Sequence, residues 1–162
     1  MEFLASIHPK VIHFPIALLV LYSFLELTGV LGRKEFFTKA AFLIFVIAFA
    51  STLLSLLTGN MALQQYIEMN KNLINVDLIQ NSIDNIKRHE EYATWCIWYF
   101  GLLLVWRINL HIKIYIKKLE AYRKQLLFLA ILTLPGLLLV YYVAQSGGYL
   151  VYELGIGTIF NR

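Results

Sequence analysis

The chain has 162 residues, of which 59% are hydrophobic and only 15% charged, with a net charge of +4 and a mean hydropathy of +0.66. Soluble domains average near half apolar and about a quarter charged. The polar surface here is too small to cover the apolar inventory, so the composition excludes an ordinary soluble domain and points to an integral membrane protein. The basic residues stand just outside apolar runs, the positive-inside arrangement, which argues against nucleic-acid binding. The single cysteine, Cys96, leaves no internal disulfide, and no CxxCH haem-attachment motif is present.

Residues 1–10 form a short lead-in without a basic n-region or a small-residue cleavage pattern, so the first apolar run reads as retained. That run is predicted to span residues 11–31, long enough to cross a ~30 Å hydrocarbon core at ~1.5 Å per residue. Pro9 suits a first helical turn, and Pro15 frees the Val11 carbonyl and predicts a bend near His13. Glu26 is the acid inside this span, and its place near the far end reads as snorkelling to the interface. GRKEFFTK, residues 32–39, is a tight basic turn. The second span is predicted over 40–63, with Ala48, Ala50, Ser51 and Ser55 allowing close helix contact and Thr58–Gly59–Asn60 marking an exit or weak point.

Residues 64–91 are the longest polar stretch, with Ile74, Leu78, Ile79 and Ile86 at mixed spacing, and are expected to form an amphipathic connection outside the bilayer. The third span is predicted over 89–110, with Arg107 snorkelling and with Trp95, Trp98 and Trp106 in interfacial belts or in packing. A basic connection follows, and the fourth span is predicted over 126–146, kinked at Pro135–Gly136 and ended by Gly147–Gly148. In the glycine-rich tail, Tyr149, Tyr152 and Phe160 are expected to fold back over the bundle. No internal repeat is evident. The fold class is therefore all-α, a single four-helix transmembrane bundle over residues 1–162.

Four spans put both termini on one side. The connections after spans one and three carry nine basic residues against Glu35 and Glu120, so that side should be cytoplasmic and both termini periplasmic, in a bacterial inner membrane. His8, His13 and His89 then converge on the outward half, while His111 stands among lysines on the cytoplasmic side and reads as solvated. His8 and His13 are five residues apart, about 140° around a helix at ~100° per residue, so both do not face one small ion. The simpler geometry has His13 facing inward with His89 and His8 at the rim.

An ionisable side chain at such a place needs a reason, and a neutral imidazole nitrogen that ligates something supplies one. One reading is a single b-type haem with His13 and His89 as axial ligands, Phe14, Tyr92 and Phe100 lining the slot, and His8, Lys10, Lys87 or Arg88 pairing with the propionates. A second is a copper or zinc site on His8, His13 and His89. A third is a non-redox structural subunit in which the histidines bond to carbonyls freed by prolines. Under the first reading the chain serves electron transfer, beside other membrane or periplasmic electron-transfer subunits and a quinone, rather than acting as a stand-alone enzyme.

The opening HPKVIHFPIALL, the TG at 58–59, His89 at the head of span three and the closing GGYLVYELGIG together resemble a bacterial family of four-helix membrane proteins of unknown function, with HPxxxHFPIAL and GGxLVYxxGxG motifs. The resemblance implies that His8, Pro9, His13, Pro15, His89, Gly147, Gly148 and Tyr152 belong to a shared pattern, and it places Tyr152 near the bound group. Its likeness to cytochrome b bundles is one of architecture and histidine placement.

Overall fold

The computed structural model describes residues 2–70, 76–116 and 122–156. Helix α1 runs over Glu2–Val11, α2 over His13–Leu31, α3 over Glu35–Asn70, α4 over Val76–His111 and α5 over Arg123–Tyr152. A π-helical turn, Ile112–Ile116, extends α4. Four stretches are long and apolar enough to cross a membrane: Ser6–Leu31, Glu35–Met69, Gln80–Tyr115 and Arg123–Tyr152. The all-α membrane bundle expected from composition is the fold observed.

Pro15 offers no N–H to the Val11 carbonyl, and α1 gives way to α2 at Ile12, whose backbone nonetheless stays helical at φ −62° and ψ −25° with its N–H on the His8 carbonyl, so the helical phase carries through. The turn to α3 is tight: Arg33 takes a left-handed conformation at φ 54°, and a methyl on Gly29 would lie 2.8 Å from the Thr38 backbone nitrogen. Helix α2 packs on α3, α4 on α5, α2 on α5 and α3 on α4. The four therefore form a ring in which α2 and α4 face each other across one diagonal. The shared core contains Leu19, Tyr22, Phe45, Ala48, Phe100, Leu103 and Leu129. Tyr22 stacks on Phe45 with ring centroids 3.9 Å apart, and Phe45 meets Phe100 edge-on. Of the small residues of span two, Ala48, Ser51 and Ser55 face inward and Ala50 outward.

Several boundaries differ from the sequence expectation. α3 does not end at Thr58–Gly59–Asn60 but continues to Asn70. The polar connection is built from the prolonged ends of α3 and α4 rather than a separate surface helix, with residues 71–75 outside the described set. Side-chain bonds one turn apart sustain this part of α4: Gln80 to Asp84, Asn85 to Asn81, Arg88 to Asn85. Its inward side buries Ser82 and Ile86. Likewise α5 runs through Gly147–Gly148 and stops only at Tyr152, where Gly155, at φ 66°, lets the Ile156 N–H reach back to the Leu150 carbonyl. The tail does fold over the bundle, but through Leu154 and Ile156, which join Ile86, Leu150, Leu63 and Tyr66 in a second apolar cluster. Tyr152 is 84% exposed and Tyr149 43%. Phe160, Ile74, Lys117, Lys118 and Glu120 lie outside the described residues, and of the side chains of Leu78 and Ile79 nothing is described.

Candidate functional site

At the end of the bundle where α1 begins and α5 stops, a cavity of about 520 Å3 opens between the helices. Its wall is mostly apolar, with Ile12, Ile16, Leu19, Ile97 and Val140, and it includes His8, His89, Cys96, Asn60 and Glu90. Ile86, Leu150 and Ile156 of the second apolar cluster also line it.

The two imidazoles are held in matching ways. His8 Nδ1 lies 2.9 Å from Thr58 Oγ1 on α3, and His89 Nδ1 lies 2.9 Å from Ser146 Oγ on α5. Each hydroxyl donates its one hydrogen to the carbonyl three residues earlier, Thr58 to Ser55 at 3.0 Å and Ser146 to Val143 at 3.1 Å. Each hydroxyl oxygen therefore accepts from the imidazole, and both rings carry the proton on Nδ1. Both Nε2 atoms are left with a free lone pair, and neither makes a hydrogen bond among the described residues. This is the tautomer of a ligating histidine whose other nitrogen is anchored by the protein.

The residue after each hydroxyl is glycine, and the rings require it. A methyl on Gly59 would lie 3.0 Å from His8 Cε1, and one on Gly147 would lie 3.1 Å from His89 Cε1. These contacts are tighter than ordinary packing, so the absent side chain is what lets each ring lie against the opposing helix.

The structure thus joins His8, not His13, with His89. His13 is exposed and does not line the cavity. The pairing of His13 with His89 expected from the sequence is not the one formed, because the 140° offset leaves one of the two histidines facing inward, and it is His8. Among the residues expected beside a cofactor, Lys10 and Lys87 are exposed and away from the cavity. Arg88 is also exposed and gives Nη2 to Asn85 Oδ1 at 2.6 Å. Phe14 and Tyr152 point outward, Phe100 sits in the core beneath, and Tyr92 tilts against Tyr142. Among the described residues no group of three His, Cys, Asp or Glu side chains is placed to hold a metal ion.

A second polar centre lies toward the other end. Arg107 Nε meets Glu26 Oε1 at 3.0 Å, and both side chains are fully buried. Neither residue snorkels, against the sequence expectation; each is the other's partner across the α2–α4 diagonal. Arg107 Nη2 also donates to the Thr38 carbonyl at 2.7 Å. His111, expected to be solvated, is half-buried: its ring stacks on Phe42 at 4.1 Å, and Phe42 also carries the Arg107 guanidinium at 5.3 Å.

The two centres share one geometric origin. Glu26 follows His8 by 18 residues, and Arg107 follows His89 by 18. Eighteen residues are about five α-helical turns, so each histidine lies on the same helix face as its charged partner, ~27 Å along the axis. Contact between Glu26 and Arg107 therefore turns the two histidines toward each other. His8 with Thr58–Gly59 and His89 with Ser146–Gly147 are equivalent halves of one arrangement.

No curated protein and no solved structure matches the chain. Residues 5–159, nearly the whole of it, match one family, and the chain with its four spans and paired imidazoles belongs to that family, described as predicted membrane protein (DUF2231).

Proposed function

We propose that this protein is a membrane-embedded, b-type cytochrome-like subunit that passes electrons through one bis-histidine haem, with His8 and His89 as the axial pair. The observation that carries the reading is the pair of anchored imidazoles, from helices on opposite sides of one cavity, each with Nδ1–H bonded to a hydroxyl and Nε2 free. The donor set fits: two neutral imidazoles from facing helices and an apolar slot are what a low-spin haem requires. A volume near 520 Å3 lies within the range of cofactor pockets, roughly 300–1,000 Å3. When bound, haem supplies one-electron chemistry.

The chain's own residues do the rest. Thr58 and Ser146 fix ring orientation and tautomer. Gly59 and Gly147 make room for the rings. Ile16, Leu19, Ile97 and Val140 exclude water, and Asn60 and Glu90 form a polar edge. The reading extends to a place in the bacterial inner membrane with this end outward, because Arg33, Lys34, Lys39, Lys113, Arg123 and Lys124 gather at the opposite end. Neighbouring membrane or periplasmic electron carriers, and a quinone, would be its partners.

Absorption spectra of the purified protein, oxidised and dithionite-reduced, test the proposal. Sharp reduced bands of a low-spin haem are expected, abolished in His8→Ala and His89→Ala and retained in His13→Ala. A colourless wild-type protein purified from cells supplied with haem precursor would overturn it.

A further inference from the structure

The buried charges at the far end have more capacity for hydrogen bonding than the chain satisfies. Tyr22 Oη, both Glu26 oxygens, and Arg107 Nε and Nη1 are buried with no hydrogen-bond partner among the described residues. The Glu26–Arg107 contact is 3.0 Å but lacks hydrogen-bond geometry. A pair built only to join two helices would be expected to dock its planar donors on the carboxylate as a fork. Here one of five guanidinium hydrogens is placed, on the Thr38 carbonyl. Tyr22 stands one turn before Glu26 on the same helix face, and both are fully buried. Buried polar groups in native proteins are bonded to protein or to ordered water. A donor, an acceptor and a hydroxyl that serves as either are what a small water cluster needs.

We propose that Tyr22, Glu26 and Arg107 enclose resident water and form a proton-holding centre, reached from the adjacent end of the bundle past His111. His111 Nδ1 is likewise buried and without a hydrogen bond, and its ring shares Phe42 with the Arg107 guanidinium. The step is proton uptake. A proton from the aqueous phase passes by way of His111 and water to a Glu26 carboxylate oxygen, where an O–H bond forms, and Arg107 keeps its charge. The titratable and charged groups around this end are Tyr22 and Glu26 from α2, Lys39 from α3 over the Tyr115 ring at 4.9 Å, Arg107 and His111 from α4, and Arg123 from α5, which donates to the Val30 carbonyl at 3.2 Å. Lys39 is held on the surface by Glu35 at 2.9 Å. Intramembrane ionisable residues that face a bundle interior are typical of proton relays. The centre lies ~27 Å from the histidine pair and stands whether or not haem binds there.

Infrared difference spectroscopy on the full chain in phosphatidylcholine vesicles, through a pH change, tests it. Acidification should raise a protonated-carboxyl band that is deuterium-sensitive, absent in Glu26→Gln and displaced in Tyr22→Phe. A buried-water band should shift in H2(18O) and be lost in Tyr22→Phe. If the carboxyl band survives in Glu26→Gln, or neither band responds to Tyr22→Phe, the centre is refuted. Tyr22→Phe keeps the ring that stacks on Phe45, so it decides the matter even where Glu26→Gln fails to fold. His111→Phe should slow proton uptake several-fold in a pH jump, and an unchanged rate overturns the route.

Discussion

At the scale of single residues, the histidine site depends on groups that hold the rings rather than a guest. Thr58 and Ser146 determine which imidazole nitrogen carries the proton, through an accepted bond to the ring and a donated bond to their own helix. Thr58→Val keeps the shape and removes the acceptor. It leaves a buried N–H with one partner fewer, a cost of about 1–3 kcal/mol, and second-sphere losses of this kind typically weaken binding about 10–100-fold. We expect Thr58→Val and Ser146→Ala to lower haem retention by such factors, measured by pigment loss on titration with apomyoglobin, while leaving helical content unchanged. Gly147→Ala should be more severe than Ser146→Ala, since a methyl 3.1 Å from His89 Cε1 displaces the ring itself. Equal retention in the two variants would contradict the packing argument.

The residues also show what the sequence held and what it hid. That His8 and His89 share one end followed from the order of spans. The choice of His8 over His13 was also present in the spacing. Glu26 lies five turns from His8 and therefore on its face, whereas its 13-residue separation from His13 puts it about 140° away. Reading Glu26 and Arg107 as separate snorkelling side chains concealed the signal, because only their pairing relates the two helix faces. The roles of Thr58 and Ser146 were not legible, since hydroxyls are common in apolar helices and back-bond locally wherever they stand.

At the scale of helices, the apolar runs located all four spans but not their ends. Thr58–Gly59–Asn60 and Gly147–Gly148 look like stops, yet both lie within helices, where Gly59 and Gly147 serve ring approach rather than termination. A glycine costs a helix interior only about 1 kcal/mol relative to alanine, which long packed helices absorb. The α4–α5 contact rests on a similar close approach at Gly136, where a methyl would lie 2.7 Å from Phe100 Cζ and 3.0 Å from Tyr99 Cε1. Tyr99 in turn donates to the Leu132 carbonyl at 2.7 Å, one turn before Pro135, through which α5 continues. Gly136→Leu should separate the two helices and destabilise the bundle by about 1–3 kcal/mol, read as a lowered midpoint in SDS titration. Leu138→Ala, on a 62% exposed side chain of the same helix, should change it little.

At the scale of the molecule, two helical hairpins of the same sense repeat one plan, with opposite charges at equivalent places on the facing diagonal. Sequence comparison of the halves shows no repeat because only the site positions agree; the lipid-facing residues between them obey no constraint beyond being apolar. Removing one charge strands the other inside the bundle, at about 3–5 kcal/mol, whereas a fully apolar replacement is often neutral. Glu26→Leu and Arg107→Met should each depress stability strongly, and the double variant should recover most of the loss in the same SDS titration. Additive losses would mean that the two residues are not coupled.

The wall of the histidine cavity has a consequence for supply. Its flank includes Leu56 and Leu57, which are 48% and 59% exposed on the hydrocarbon-facing side of α3, while its polar edge holds the exposed Asn60 and Glu90. An oily guest already dissolved among the acyl chains meets the leucine flank first. Filling and emptying should therefore follow partitioning into the lipid, so that occupancy depends on how much guest the surrounding bilayer holds.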